Sequence, residues 1–199
     1  MAALTGKTAT PEAIQLWGGC LALDFVNSVD RDEDGGHVAP EVTDVLAEPG
    51  MLVRWGRRVG LLTSAAASDA ELAAARSLRE SLYSVFGAAA GGGEPPTHDL
   101  DAVRSVFAAA AAAGTLTQSD GAWRLAWPAD DPRTVRFAVA ADAVRLLDDP
   151  GRLGRVTVCP GRLCGWLFIN ASGRRRWCSM SACGSREKMR RMYARRAAQ

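Results

Sequence analysis

The sequence predicts an α+β chain in two unequal parts: a mainly helical stretch with one β-hairpin over residues 1–150, and a small cysteine-fastened module over 151–199. Three observations carry this. Before residue 150, apolar residues recur at three- and four-residue spacing in several long stretches, the mark of helices that bury one face. One alternating pattern around Ser119-Asp120-Gly121 marks a hairpin. Four of the five cysteines fall in the last 41 residues as two equally spaced pairs, Cys159/Cys164 and Cys178/Cys183.

In chain order, the apolar run Leu16 to Ser28 is too short to assign to helix or strand, and Gly18-Gly19 make a bend there. A loop over Asp30 to Pro40 precedes Pro49, which suits the first turn of a helix carrying Met51, Leu52, Trp55 and Val59. Ser68-Asp69-Ala70-Glu71 opens a second helix, whose Leu72, Ala75, Leu78, Leu82 and Phe86 form a core stripe. The Ala/Gly-rich segment from Ala88 to Pro96 reads as a flexible connection. The next helix starts at Thr97-His98-Asp99, runs through Ala113 and stops at Gly114. After the hairpin, Asp130-Asp131-Pro132 starts a helix with Val135, Ala138, Val139, Leu146 and Leu147, and Asp148-Asp149-Pro150-Gly151 ends it.

In the terminal module, Arg155 to Val158 and Trp166 to Ile169 are strand-like on either side of the first cysteine turn. Ser179 to Ser181 can cap a last helix that reaches about Arg196. Four thiolates at Cys-x4-Cys, thirteen residues, Cys-x4-Cys supply the tetrahedral sulfur shell of a closed, structural zinc site. Two disulfides, or four unrelated buried thiols, are the alternatives; the matched pairs and the absence of a secretory layout in Met1 to Thr8 favour one zinc ion. Gly165 and Gly184, following the second cysteine of each pair, let the chain turn close to sulfur. A knuckle, a hairpin and a helix donating the second pair form a treble clef, with Met189, Met192 and Tyr193 on a face expected to cover the site and a basic face turned outward. A module of this size cannot rest on apolar burial alone, so metal binding and folding are coupled.

Charge divides where the fold does. Residues 151–199 hold twelve Lys/Arg and the single acid Glu187, net +11, whereas residues 1–150 hold twelve bases and twenty-one acids, net −9. The overall +2 conceals this asymmetry, which is the pattern of a polyanion-binding module joined to an acidic partner. No run approaches the roughly 20 apolar residues of a membrane span, and the expected location is the cytoplasm, with thiols reduced.

The terminal motif, Cys159-x4-Cys164-x-Trp166-x-Phe168 and then Arg175-Arg176-Trp177-Cys178-Ser179-Met180-x-x-Cys183-Gly184-Ser185-Arg186-x-Lys188, resembles the CGNR zinc finger. Leu21-Ala22-Leu23-Asp24-Phe25-Val26-Asn27-Ser28 is similar to the opening signature of the ABATE domain, which usually precedes that finger. The resemblance implies a bacterial, stress-induced transcription regulator with a DNA-binding treble clef and an N-terminal domain that senses a small ligand. The sequence departs at Ser185, where the family has asparagine, at Asn170, where aspartate is usual, at Ser28, where threonine is usual, and in a shortened loop before the arginines. The zinc ligands are spared.

The expected DNA contacts are Arg174, Arg175, Arg176, Arg186, Lys188, Arg190, Arg191 and Arg195, because guanidinium forks bind phosphate in bidentate fashion and helix cations can reach a groove edge. A solvated helix face, a surface for an acidic protein, or RNA binding are the rival readings of the same charge. Two fingers in a homodimer would supply the specificity that one lacks. Asp24 and Asn27, polar inside an apolar run, are buried anchors or ligand contacts. Trp55, with Arg54, Arg57 and Arg58, lines an anion-accepting pocket or belongs to the core. Asp30-x-Asp32-x-Asp34-Gly35 with Glu41 fits a bare calcium-loop pattern, but His37 and Pro40 are out of place in one, and a solvated acidic loop is expected. His37 and His98 stand in no catalytic motif and Cys20 reads as an inert core thiol, so an enzyme is not expected.

Overall fold

The computed structural model describes residues 10–32, 35–38 and 43–197. Its elements in order are α1 (Leu21–Val26), α2 (Pro49–Arg58), α3 (Asp69–Ala90), α4 (Thr97–Ala113), β1 (Thr115–Ser119), β2 (Ala122–Ala126), α5 (Arg133–Leu147), the single turn α6 (Pro150–Leu153), β3 (Val156–Val158), β4 (Leu167–Ile169), a π-helical turn over Met180–Gly184, and α7 (Ser185–Ala197). This is the predicted α+β class, with two small antiparallel hairpins among the described residues.

Local chemistry explains most boundaries. The ambiguous run after Leu16 becomes a helix only from Leu21, because Gly19 adopts φ +89° and the Asp142 carboxylate on α5 accepts the N–H of Ala22 at 2.9 Å. Pro49 occupies the first turn of α2 as expected. Ser68 Oγ accepts the Glu71 N–H at 3.2 Å and starts α3. That helix continues to Ala90, past the expected break at Ala88, since three alanines extend a helix at little cost. At the tip of β1–β2, Asp120 and Gly121 both have positive φ, the geometry of a two-residue hairpin whose twist matches its strands.

Helix α3 organises the interior. Leu72, Ala75, Leu78, Leu82 and Phe86 are buried along it, packed against α1, α4 and α5 on one side and against β3 and β4 on the other. One continuous cluster of buried side chains therefore runs from Ile14 through Trp55 and Val139 to Trp166, Phe168 and the four cysteines. Backbone bonds reinforce this contact. Ile169 N–H donates to Gly18 O at 2.9 Å, and Arg31 N–H donates to Cys164 O at 3.2 Å. Gly165, at φ +58°, sits where a Cβ would come within 2.7 Å of Arg31 Cβ, so this glycine is needed both for its turn and for the close approach.

Candidate metal centre and basic face

Cys159 directly follows β3 and pairs across the knuckle through its N–H to Trp166 O at 2.7 Å. Cys164 closes the same turn, and Cys178 and Cys183 come from the segment leading into α7. All four sulfurs are buried and lie within 4.8 Å of one another. Cys164 Sγ and Cys178 Sγ are 3.7 Å apart, and Cys178 Sγ and Cys183 Sγ 3.5 Å apart. Disulfides require about 2.05 Å, whereas metal–sulfur bonds of about 2.3 Å in a tetrahedron give edges of about 3.8 Å. The donor set thus fits one zinc ion, with no position left for water. The four cysteines form a zinc-binding site, and among the described residues no other such cluster occurs.

The surroundings are built for thiolates. Cys178 N–H points at Cys159 Sγ at 3.3 Å, and Arg186 Nη2 lies 2.8 Å from Cys183 Sγ, each offsetting part of the charge of four ionised sulfurs. With no cation among them the thiols would conflict. Hydrogen bonding from Cys164 and its neighbours drives Cys159 down, and bonding to Cys159 drives Cys164 and Cys178 up. A divalent ion removes the conflict by taking all four as thiolates. Gly161 admits this packing: a Cβ there would stand 2.9 Å from Cys183 Sγ.

Arg175 fastens the second pair to the rest of the chain. Its guanidinium donates to Trp177 O at 3.1 Å, Trp17 O at 2.9 Å and Cys178 O, and lies 4.4 Å over the Phe168 ring. Asn170, where the related motif has aspartate, accepts the Arg175 N–H at 3.0 Å through its amide oxygen, a task that needs no charge. Ser185, in the place of the motif asparagine, donates to Met180 O at 3.0 Å.

Two of the expected DNA contacts are engaged within the protein itself. Arg175 and Arg186 turn inward, to carbonyls and to sulfur. Arg174, Arg176, Lys188, Arg190, Arg191 and Arg195 are exposed. Arg176 lies 5.4 Å from the Trp177 ring centroid, and Arg190 and Arg191 both clasp Glu187 at 2.8–2.9 Å. The Arg190 and Arg191 hydrogen bonds hold the half-buried Glu187 carboxyl down at about 2. The guanidinium side of both pairs is exposed, and ion pairs at a surface are weak.

One correction concerns α7. No residue of this helix is buried, and Met189 and Tyr193 are exposed, so its apolar face does not cover the metal. Instead, Trp177, Met180, Met189 and Met192 line an open groove of about 700 Å³ edged by Arg176 and Lys188. The four cysteines are buried in one cluster with Trp166 and Phe168.

The expected sensor residues have structural roles. Asn27 is buried, and its amide exchanges two 2.8 Å bonds with the backbone of Leu167. Trp55 is fully buried edge-on to Phe25. Arg54 pairs with Glu12 and Arg58 donates to Pro11 O. Asp24 accepts the Gly18 N–H at 2.8 Å, and burial pushes its carboxyl up to about 6, with the Gly18 bond pulling the other way. Burial likewise pushes the Cys20 thiol up to about 12.

Asp34, Pro40 and Glu41 of the calcium-like pattern lie outside the described residues. Asp30 and Arg31, expected in a solvated loop, are buried. Arg31 stacks 3.8 Å over Tyr83 and pairs with Glu80 at 2.9 Å, filling the space beneath the zinc knuckle. Beside it Arg79 is buried against Asp44 in a two-pronged pair at 2.7 and 2.9 Å. This charged layer left no local signal, because Asp44 and Arg79 are 35 residues apart.

The ABATE family model, described as "Putative stress-induced transcription regulator", matches residues 19–150, and the CGNR zinc finger model matches residues 155–196. The chain belongs to the ABATE family. It carries a CGNR zinc finger behind its ABATE domain, the arrangement that the cysteine motif and the Leu21 to Ser28 signature together had indicated. No curated protein matches the sequence. Among the described residues no helix is long and apolar enough to cross a membrane.

Proposed function

We propose that this ABATE protein is a non-enzymatic transcription regulator whose finger is a treble clef that binds DNA through α7 and the loop before it. The observation that supports this most is that α7 buries none of its residues while presenting Lys188, Arg190, Arg191 and Arg195. Arg174 and Arg176 extend the surface along the loop. Phosphate contacts from these six side chains would position the finger, and the helix cations facing a groove would read base edges. In this reading two copies present two fingers, and a small ligand acting on residues 1–150 shifts the population that presents them. That ligand is not assigned to Asp24, Asn27 or Trp55, which packing and backbone bonds occupy.

The test is the salt dependence of binding to duplex DNA. Each phosphate contact contributes about 0.9 to the slope of log affinity against log salt, so Arg190→Ala with Arg191→Ala lowers the slope by up to about 2. A salt-insensitive interaction refutes the proposal. Selection from random genomic fragments then separates a regulator, which enriches a sequence, from an adaptor for acidic proteins, which enriches none; preference for RNA in competition would reassign the same face.

A further inference from the structure

The β1–β2 hairpin stands off the core. All five residues of β1 are exposed and β2 is exposed or half-buried. Among the described residues neither outer edge meets a third strand. Leu116 is opposite Leu125, and Gln118 opposite Trp123. Since side chains alternate along a strand, these four share one face of the ribbon. Leu116 and Trp123 are each 68% exposed on it. The helix leading into the hairpin has the same character: α4 buries only Val103 and Ala110.

A two-stranded ribbon with an apolar face and two open edges is marginal in water. Proteins guard open edges with charges, prolines or bulges. β1, Thr-Leu-Thr-Gln-Ser, has no charge and no proline, and its register with β2 is unbroken. β2 carries Arg124 at its middle. The surrounding segment is close to neutral as well: residues 97–127 hold three acids and two bases, within a part of the chain whose net charge is −9.

We propose that β1 pairs antiparallel with β1 of a second copy of this chain, forming a four-stranded sheet about a two-fold axis. The occupant is a second copy because this edge is self-complementary. Antiparallel pairing of identical strands satisfies both edges with the same residues, and an uncharged strand brings no like charge opposite itself. Pairing through β2 would set two Arg124 side chains close together. In the sheet β2–β1–β1′–β2′, Leu116 and Trp123 of both copies lie on one continuous face. This supplies the second copy that the two-finger reading requires, and it is measured without DNA, so pairing and DNA binding can fail separately.

Light scattering of the zinc-loaded full chain should give about twice 21.1 kDa. Leu116→Lys with Gln118→Lys puts like charges on the new edge and should weaken pairing about tenfold or more. Trp123→Ala should weaken it less. Circular dichroism and zinc content should stay at wild-type values, because these side chains touch solvent. Should the charged variant unfold, hydrogen exchange of the wild type decides: β1 amides should exchange slowly at high concentration and fast on dilution. A monomeric wild type, a dimer of unchanged mass in the folded charged variant, or β1 exchange independent of concentration overturns the inference.

Discussion

The two halves of the zinc finger are held in opposite ways. The knuckle half, β3 and β4, is sealed into the ABATE core: Leu167 and Phe168 are fully buried, and backbone groups of Leu167, Ile169 and Cys164 bond to Asn27, Gly18 and Arg31 respectively. The helical half, α7, has no buried residue. Cys178 and Cys183 join it to the rest through sulfur, and Arg175 holds the approach to it. The contrast teaches that stability and charge presentation are allotted to different halves. Core packing fixes where the metal sits, and the metal with a few arginine bonds fixes where the cations point.

Metal removal should therefore have the largest effect. Binding of structural zinc is worth about 10–16 kcal/mol at neutral pH, and without it four crowded thiols must reprotonate. Chelation, or Cys164→Ser, should release α7 and loosen the core around Trp17 and Trp166, which lie 5.9 Å apart. Elemental analysis should find one zinc per chain, and tryptophan emission should shift to the red as chelator is added. A metal-free protein whose residues 178–197 keep their helical exchange protection would break the comparison.

Next comes the docking of the knuckle. Asn27→Leu removes both bonds to Leu167 and leaves a buried N–H and C=O without partners, each costing about 1–3 kcal/mol. The expected loss is about 2–5 kcal/mol in urea unfolding, with zinc stoichiometry retained. If zinc is lost together with docking, the two halves are less separate than the contrast states.

The zinc ligands, the class of fold and nearly all the helices were legible because their signals are local: a spacing of five between cysteines, a 3.6-residue stripe, an Asp-Gly turn. What could not be read is long-range. Asn27 and Leu167 are 140 residues apart, and an asparagine in an apolar run looks the same whether it waits for a ligand or pairs with a distant strand. The inward turn of Arg175 was hidden among three consecutive arginines, which sequence alone treats as equals. The exposure of Met189 and Tyr193 reversed the expectation drawn from helical spacing, since periodicity identifies a face and not what meets it.

Asp24 offers a pH-dependent probe of the same junction. Its folded carboxyl, raised from 3.8 to about 6 by burial, holds a proton more tightly than the unfolded one. The stability it contributes is thus fully present below about 3.8 and lost as pH rises through about 6. Asp24→Asn cannot ionise and keeps an oxygen for the Gly18 N–H, so it should be more stable than the wild type at pH 8 by about 1–3 kcal/mol, with the advantage gone near pH 4. A variant less stable at pH 8 would mean that the carboxylate is favoured where it sits.

The smallest effect is the sharpest test of the helical half. Met189→Ala with Tyr193→Ala would cost about 2–5 kcal/mol per side chain if this face covered the metal, as helical spacing suggests. On an unburied helix the change is within about 0.5 kcal/mol, since alanine is the better helix former and no cavity opens. Thermal unfolding of the zinc-loaded chain should therefore scarcely move. The zinc content should also hold, because the four ligands are buried while no residue of α7 is. A large loss of stability would show that α7 folds back on the site in solution. The cations of α7 would then stand in a different relation to the sulfurs, and the division between a sealed half and a presenting half would fail where it is most exposed to measurement.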